Sequence, residues 1–195
     1  MNFDLWRHST RAWLFHFFGK NDRAFEEYAI AFQQIPSAKV ARNLGFIATQ
    51  QNRLGEGARW FAQATKLDPG SAETWFNLGF TRERDGQRHE AISAFSEAIR
   101  LNPKLDRAWY GMGLAYAALG NHREAANALE ETVKLQPMHG EAWQHLGMAH
   151  HYAKNLDRVA QVIAKLKAFD PKRANLLLRD TGRTDLAHLY TDMPF

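Results

Sequence analysis

The residues of this 195-residue chain that could do chemistry are nine histidines and a number of carboxylates. His145, His150 and His151 form the densest histidine group, and histidine is the commonest metal ligand among side chains. On a helix, His145 and His151 would point about 120° apart, at 100° per residue. No cysteine or carboxylate follows three or four residues later to complete a ligand set. The sequence therefore predicts no metal site and no cofactor.

Catalytic motifs are missing from the sequence. The chain has no cysteine, which excludes thiolate catalysis and disulfides and fits a reducing compartment. It also has no glycine-rich phosphate loop, no H-E-x-x-H and no G-x-S-x-G. Glu130 and Glu131 fall on the outward face of a predicted helix. We therefore expect a protein that is not an enzyme.

The charge balance of the chain is mildly basic. Lysine and arginine number 25 against 21 aspartates and glutamates, and the excess lies near the C-terminus, around Lys165, Lys167, Lys172 and Arg173. A nucleic-acid-binding protein would need a clustered basic stripe and a reader module. Because neither is evident, we interpret these residues as a solvated terminal face and expect no nucleic-acid partner.

Targeting and membrane signals are also absent from the sequence. A secretory signal needs an uninterrupted apolar stretch of about 7–15 residues, whereas the longest run near the N-terminus is "AWLF", ended by His16. No segment approaches the roughly 18 apolar residues of a membrane span. We expect a cytoplasmic protein with no membrane span.

Three tryptophans, Trp75, Trp109 and Trp143, lie 34 residues apart, and a fixed period of this kind indicates repeats. Cut at this period, residues 38–71, 72–105, 106–139 and 140–173 align as four segments. The eighth position of every segment is glycine and the thirty-second is proline. These residues are Gly45, Gly79, Gly113 and Gly147, and Pro69, Pro103, Pro137 and Pro171.

The recurring pattern of W-x2-L-G, then A-x3-F, then P closely resembles the tetratricopeptide repeat, and the resemblance implies two antiparallel helices, A and B, in each segment. The glycine at position eight removes a side chain where helix B approaches helix A, and a large apolar residue at position 24, such as Leu129, fills the surrounding space. The proline at position 32 ends helix B, since it lacks an N–H and disfavours helix in the residue before it. Gly86 and Gly120 follow helix A, where a left-handed cap requires no Cβ.

The resemblance implies an all-α fold: a right-handed α-solenoid of about five helix–turn–helix repeats with a C-terminal capping helix. Residues 1–37 are predicted to form a degenerate N-terminal repeat, because "FFGKNDRAFEEYAIAFQQIP" aligns with "ALGNHREAANALEETVKLQP". Residues 174–195 are predicted to form the capping segment, with a shorter helix near 184–190.

The resemblance also implies a concave groove lined by positions 2, 5, 6, 9, 12 and 13 of each helix A. From these positions we predict a peptide-binding groove. Its residues are Arg42, Asn43, Phe46, Phe76, Asn77, Phe80, Arg84, Arg107, Tyr110, Leu114 and Met148. An alternative is that some of the rings only pack between neighbouring repeats.

Asn43 and Asn77 share position six, and because an amide both donates and accepts, they could hold an extended peptide backbone. The apolar residues would receive a large side chain of the peptide beside a hollow at Gly111, and the arginines would favour nearby acidic residues. A two-carboxylate clamp, known in some family members, is matched only in part. Arg42, Asn77 and Arg107 fit it, whereas Phe46 and Gly111 depart from it.

The N-terminal helix carries six large apolar residues within an arc of about 140°: Phe3, Trp6, Trp13, Leu14, Phe17 and Phe18. The favoured interpretation is packing on the following helix. A self-association face and interfacial membrane binding are alternatives, although the basic polar face that membrane binding favours is lacking.

The sequence thus predicts a cytoplasmic, non-enzymatic adaptor or scaffold that binds a protein or peptide partner. The expected partner carries an apolar anchor with acidic residues nearby. The alternative is a structural homo-oligomer, whose groove or N-terminal helix is filled by another copy or by the chain's own terminus.

Overall fold

The structure of the chain, a computed structural model, describes residues 3–183 and 185–186. All regular structure within these residues is helical. The chain divides into two compact units, Met1–Asn102 and Pro103–Phe195, called unit 1 and unit 2.

The described residues of unit 1 form six α-helices, each packed on the next in sequence. They are α1 (Phe3–Phe17), α2 (Asn21–Gln34), α3 (Ala38–Gln50), α4 (Leu54–Leu67), α5 (Ala72–Arg84) and α6 (Arg88–Leu101). The pairs α3–α4 and α5–α6 fall within the first two predicted repeats. The serines that precede α3 and α5 cap these helices, since Ser37 accepts a hydrogen bond from the Val40 amide and Ser71 accepts one from the Thr74 amide.

In unit 2, five α-helices lie within the part of the chain that the structure describes: α7 (Asp106–Ala118), α8 (His122–Leu135), α9 (Gly140–Tyr152), α10 (Leu156–Lys167) and α11 (Pro171–Thr181). Successive helices pack on each other, and α9 also contacts both α7 and α11. Helix α11 therefore lies beside α9 as a further helix A.

The close approach predicted at position eight is confirmed in three repeats. A Cβ added to Gly79 would lie 2.7 Å from Phe95 Cδ1, and one added to Gly113 would lie 2.7 Å from Leu129 Cγ. Both distances are shorter than a carbon–carbon contact allows, so only glycine fits. In the fourth repeat, by contrast, Gly147 faces Leu177 of α11.

The turn after each helix A uses a left-handed residue, as predicted for Gly86 and Gly120, whose φ angles are 79° and 77°. In the remaining repeats the same position is held by Asn52 at 59° and Lys154 at 61°. The backbone conformation is therefore kept even where glycine is not, at a steric cost that non-glycine residues pay in this region.

The repeated tryptophans have a polar role that the sequence analysis did not anticipate. The indole Nε1 of Trp75 donates to the carbonyl of Pro69 at 3.0 Å, and that of Trp143 donates to the carbonyl of Pro137 at 2.9 Å. Trp109 and Pro103 repeat the contact at 3.0 Å. Each bond ties the start of one repeat to the proline that closes the preceding one.

The N-terminal helices α1 and α2 form the expected additional pair, with Ala12, Ala24 and Tyr28 in a core shared with α3. The expectation that the N-terminal aromatic residues pack on α2 is wrong for those described. Trp13, Phe17 and Phe18 are 56%, 69% and 68% exposed. The reason is geometric: residues one helical turn apart share a face, and the face turned to α2 carries Ala12 and Phe15. Leu14 is exposed too, whereas the side chains of Phe3 and Trp6 lie outside the described residues.

The C-terminal capping helix begins earlier than predicted. Pro171 was expected only to end helix B of the fourth repeat, but it is the first residue of α11, preceded by the capping carboxylate of Asp170. Proline suits this position because its missing N–H would be unpaired there in any case. The shorter helix expected near 184–190 lies largely outside the described residues.

Candidate peptide-binding surface

Helices α3 and α5 are joined in unit 1 by polar contacts along their length. Arg42 Nη1 lies 3.5 Å from Thr74 Oγ1, and the hydroxyls of Thr49 and Thr81 lie 3.3 Å apart. At the far end, Arg84 Nη2 donates to Asn52 Oδ1 at 3.3 Å. These contacts fix the spacing of the two helices that carry most of the predicted groove residues of this unit.

A small cavity of about 170 Å³ lies between α3 and α5. Four predicted residues line it together: Phe46, Asn77, Phe80 and Arg84. The guanidinium of Arg84 lies 5.8 Å from the centre of the Phe80 ring, within reach of a cation–π interaction. The rings of Phe46 and Phe80 are each about half exposed. The cavity therefore combines two rings, an amide and a cation.

Phe76 supports this cavity from behind. Its ring stacks on Phe80 with centroids 6.2 Å apart and lies 6.0 Å from Phe95 in the core. Phe76 is only partly exposed. Phe76 therefore packs within its own repeat, between the Phe80 ring and the core.

A larger cavity of about 690 Å³ lies between α1 and α3 in the same unit. It is lined by the predicted residues Asn43 and Phe46, and Phe46 thus borders both cavities. Helix α1 adds four residues that the sequence analysis missed: Ser9, Thr10, Trp13 and His16. They stand at positions 5, 6, 9 and 12 of the degenerate repeat, so the position rule used for the other repeats would have found them.

Asn43 and Arg42, like Arg84, have polar partners within unit 1. The Asn43 side chain forms a hydrogen bond with Tyr28, a buried residue whose hydroxyl pKa is raised mainly by burial and lowered in part by this bond. Arg42 pairs with Asp68 at 3.2 Å. Asn43 and Asn77 line different cavities, and both cavities are bordered by Phe46.

The predicted residues of unit 2 lie on α7 and α9. Tyr110 and Met148 pack against the core of this unit, and the Tyr110 ring lies 5.0 Å from that of His139. Burial, and secondarily the charge of Glu141, raises the pKa of the Tyr110 hydroxyl. Leu114 is partly exposed and Arg107 is exposed. Tyr110 and Met148 therefore have a packing role as well as a partly accessible surface.

The histidines do not assemble into a metal site in the described part of the chain, where no group of three or more potential ligands is close enough to hold an ion. His150 is buried beside Glu130, whereas the ring of His151 contacts Tyr152. Among the described helices, none is both long and apolar enough to cross a membrane.

Comparison with known proteins identifies the repeat. A family model for the tetratricopeptide repeat matches residues 110–174, and a second model, for the TPR repeat, matches residues 84–120. The resemblance noted in the sequence is thereby confirmed for these residues. No curated protein matches the sequence significantly.

Solved structures with the same fold extend the comparison to the whole chain. A crystal structure of the MamA protein is 22% identical, with 100% of both chains covered and a TM-score of 0.81. YrrB, described as a TPR protein with an unusual peptide-binding site, is 19% identical over 90% of both chains, with a TM-score of 0.78. A tetratricopeptide repeat protein from Parabacteroides merdae is 17% identical, covering 95% of this chain and 76% of its own, with a TM-score of 0.77. The all-α repeat fold is therefore confirmed.

Proposed function

Because this chain carries tetratricopeptide repeats, we propose that it is a non-enzymatic scaffold that binds an extended peptide segment of a partner protein on the helix-A face of its repeats. Proteins of this fold include one described as having a peptide-binding site. The residues of the present chain that support a peptide-binding role lie mainly in unit 1.

The observation that carries the proposal is the pair of cavities that share Phe46 along α1, α3 and α5. An extended peptide presents backbone donors and acceptors at every residue, and the amide of Asn77 can satisfy one of each. The hydroxyls of Ser9 and Thr10 offer further partners. The half-exposed rings of Phe46 and Phe80 would receive a large apolar side chain, and anchors of this kind usually dominate binding energy.

The charges near these cavities favour acidic residues in the peptide. Arg84 is exposed beside Phe80, and Lys39 is exposed at the edge of the larger cavity. Exposed charges of this kind act mainly on the association rate and its salt dependence.

In unit 2 we propose that Arg107, Tyr110, Leu114 and Met148, with a hollow at Gly111, form the equivalent surface.

The test begins with affinity capture from the native lysate, followed by binding measurements on the captured partner. Phe80→Ala and Asn77→Ala should each weaken binding at least about tenfold, because they remove an anchor and a backbone contact. Leu67→Ala is the matched control, since Leu67 of α4 and Phe80 are both 45% exposed and Leu67 lines neither cavity. Arg84→Ala should act mainly at low salt.

The outcome that refutes this site is also defined. If Phe80→Ala and Asn77→Ala bind normally while substitutions on the helix-B face, such as Arg88→Ala or Glu97→Ala, abolish binding, the helix-A face is not the working surface. Circular dichroism spectra of all variants must match that of the parent.

Self-association is a second candidate function, favoured by the exposed end of α1. Trp13, Leu14, Phe17 and Phe18, which we call the N-terminal aromatic cluster, are all exposed. The rings of Trp13 and Phe17 stack with centroids 5.6 Å apart. A contiguous exposed apolar patch usually marks an interaction site.

Sedimentation equilibrium separates the two candidates. If the N-terminal aromatic cluster joins copies of the chain, the parent should form oligomers and Phe17→Asp with Phe18→Asp should be monomeric. A parent that stays monomeric at the highest accessible concentration would exclude this second candidate and leave the peptide-binding proposal intact.

A further inference from the structure

Unit 2 contains a cavity of about 590 Å³ that is lined by none of the residues proposed for the peptide surface. It lies between α8 and α10, the helices B of two neighbouring repeats. Helix α9 contributes Trp143, Leu146 and His150, which are spaced three and four residues apart. None of these three stands at a groove position of its repeat. We call this cavity the helix-B groove.

The floor of the helix-B groove is apolar. Val133, Leu146 and Val162 are buried there, at 6%, 2% and 4% exposure. One end is polar, since His150 is 6% exposed and its Nε2 lies 3.5 Å from Glu130 Oε1. An occupant with an apolar body and a hydrogen-bonding tip, such as a tyrosine or tryptophan side chain, matches this floor.

The rim of the helix-B groove is basic. Arg158, Gln161 and Lys165 follow each other on α10 at intervals of three and four residues, so they form a stripe about 10 Å long at 1.5 Å per residue. All three are exposed. In the described part of the chain, Arg158 bonds only to the neutral amide of Gln161, and Lys165 forms no ion pair.

The opposite wall, on α8, contributes one carboxylate and one cation to the groove lining, Glu130 and Lys134. Lys134 of α8 pairs with Glu131 at 2.6 Å, and Glu130 faces His150. The rim therefore presents two cations without carboxylate partners in the described residues, above a buried apolar floor. Small-molecule sites usually enclose most of the ligand and its charge, whereas here the cations are outside and the apolar surface is inside. This arrangement fits a segment of polypeptide better than a free metabolite.

We propose that the helix-B groove binds an acidic segment of a partner protein that carries one aromatic anchor. The anchor, tyrosine or tryptophan, lies on Val133, Leu146 and Val162 with its polar tip toward Glu130 and His150. Carboxylates on both sides of the anchor contact Arg158 and Lys165. This site is separate from the helix-A face, so the chain can hold two partner segments at once.

The test uses the full chain and a defined probe, the fluorescein-labelled peptide Asp-Glu-Tyr-Glu-Asp. Binding is measured by fluorescence anisotropy, and its location is read from the Trp143 indole N–H signal in ¹⁵N spectra, assigned with Trp143→Phe. We expect saturable binding that shifts this signal and weakens with added salt. Arg158→Glu with Lys165→Glu should weaken binding at least about tenfold.

A matched charge control is available in the same unit. Arg123 of α8 and Lys172 of α11 are exposed and do not line the groove, so Arg123→Glu with Lys172→Glu makes the same charge change elsewhere. At physiological salt, which screens long-range electrostatic effects, this variant should bind the probe with an affinity within about twofold of the parent's. A probe with alanine in place of tyrosine should bind at least about tenfold more weakly, since it lacks the anchor.

Several results would overturn the proposal. One is the absence of binding up to about 1 mM probe, which corresponds to a binding free energy weaker than about −4 kcal/mol. The others are equal weakening of binding by the two charge variants and a Trp143 signal that does not shift when the probe is added. Binding that appears only after residues 187–195 are deleted would assign the groove to the chain's own C-terminus. Phe80→Ala should leave probe binding unchanged, so failure at this site is distinguishable from failure of the proposed helix-A surface.

Discussion

At the scale of the residue, the turn after helix A shows how much backbone geometry outweighs residue type. Gly86 and Gly120 occupy a left-handed conformation there, and Asn52 and Lys154 adopt the same conformation with a Cβ. Asparagine tolerates this region better than lysine does. Of these four residues, Lys154 is therefore the one whose type is least suited to the left-handed conformation of this turn.

Lys154→Gly should raise the free energy of unfolding by about 0.5–1 kcal/mol, because it removes the steric cost of a left-handed non-glycine residue. Urea denaturation followed by circular dichroism measures the change. Asn52→Gly is the control and should gain less, since asparagine suits the conformation and Asn52 also accepts a hydrogen bond from Arg84. A loss of stability in Lys154→Gly would contradict this account of the turn.

The surroundings of His150 determine the direction in which the stability of the protein changes with pH. Burial lowers the pKa of the imidazole, while Glu130 raises it and Arg158 lowers it further. The unfolded chain, with a histidine pKa near 6.5, therefore takes up a proton before the folded chain does. Stability should fall as the pH drops below about 6.5, by up to about 1.4 kcal/mol per pH unit for this group.

His150→Gln should flatten the loss of unfolding free energy between pH 7.5 and 5.5, measured by urea denaturation at a series of pH values. His89→Gln, at an exposed site on α6, is the control and should keep the slope of the parent. An unchanged slope in His150→Gln would show that the buried imidazole does not govern acid sensitivity.

At the scale of the element, the contact between helices A and B depends on one missing side chain. In the third repeat the backbone of Gly113 lies against Leu129, whose Cγ would be 2.7 Å from an added Cβ. Leu129 is fully buried, so it has little room to move. Helix α7 also carries Gly111, to which the repeat pattern assigns no packing role.

Gly113→Leu should lower the free energy of unfolding by about 1–3 kcal/mol or more, because overpacking displaces α7 from α8. Gly111→Ala should be neutral or stabilise by up to about 1 kcal/mol through helix propensity. Thermal melts of both variants decide the matter. Equal shifts of the two midpoints would mean that the assignment of position eight is wrong.

The same elements show what the sequence could and could not predict. Positions that recur every 34 residues identify α3 to α10, since each recurrence reports the same helix–helix contact. Helix α1 lacks the signature, with Arg11 and Ala12 at positions seven and eight, so its surface residues and exposed aromatics were missed or misassigned. The start of α11 was misplaced because Pro171 serves helix initiation there, a use that proline residue type alone does not reveal.

The helix-B groove was not predicted because its parts belong to three different helices. Val133, Leu146 and Val162 are ordinary apolar positions in their own helices, and nothing in their spacing along the chain signals a common cavity. Only the packing of α8 and α10 over α9 brings them together. The basic residues near the C-terminus were noticed in the sequence, but as a solvated face.

At the scale of the whole molecule, stability in a repeat protein is close to a sum over repeats and their interfaces with neighbours. Helices α1 and α11 are the first and last described helices, and each lacks a described neighbour on one side. Leu177 of α11 is fully buried against Gly147 of α9. The C-terminal helix is therefore held mainly by its contacts with α9 and α10.

Leu177→Ala should destabilise unit 2 by about 2–5 kcal/mol, the usual cost of truncating a buried leucine. Hydrogen exchange followed by mass spectrometry should show faster exchange in α9, α10 and α11, with α1, α2 and α3 unchanged. Leu176→Ala, at a partly exposed neighbour, should have a smaller effect. Uniform acceleration along the chain would instead indicate a single cooperative unit.

The bonds from tryptophan indoles to proline carbonyls have a consequence for how the chain tolerates changes in length. Each bond fixes the length of the linker between one repeat and the next, because its two residues are always six positions apart. The pairs are Pro69 and Trp75, Pro103 and Trp109, and Pro137 and Trp143. An inserted residue in any of these linkers would pull the indole off its acceptor. The linker after Pro36 has no such hydrogen bond, because the fourth position of the following repeat is alanine, Ala41. Among the linkers that join the five helix pairs from α1–α2 to α9–α10, it is therefore the one that can be lengthened without breaking this bond, and it is a suitable place for a spacer or label.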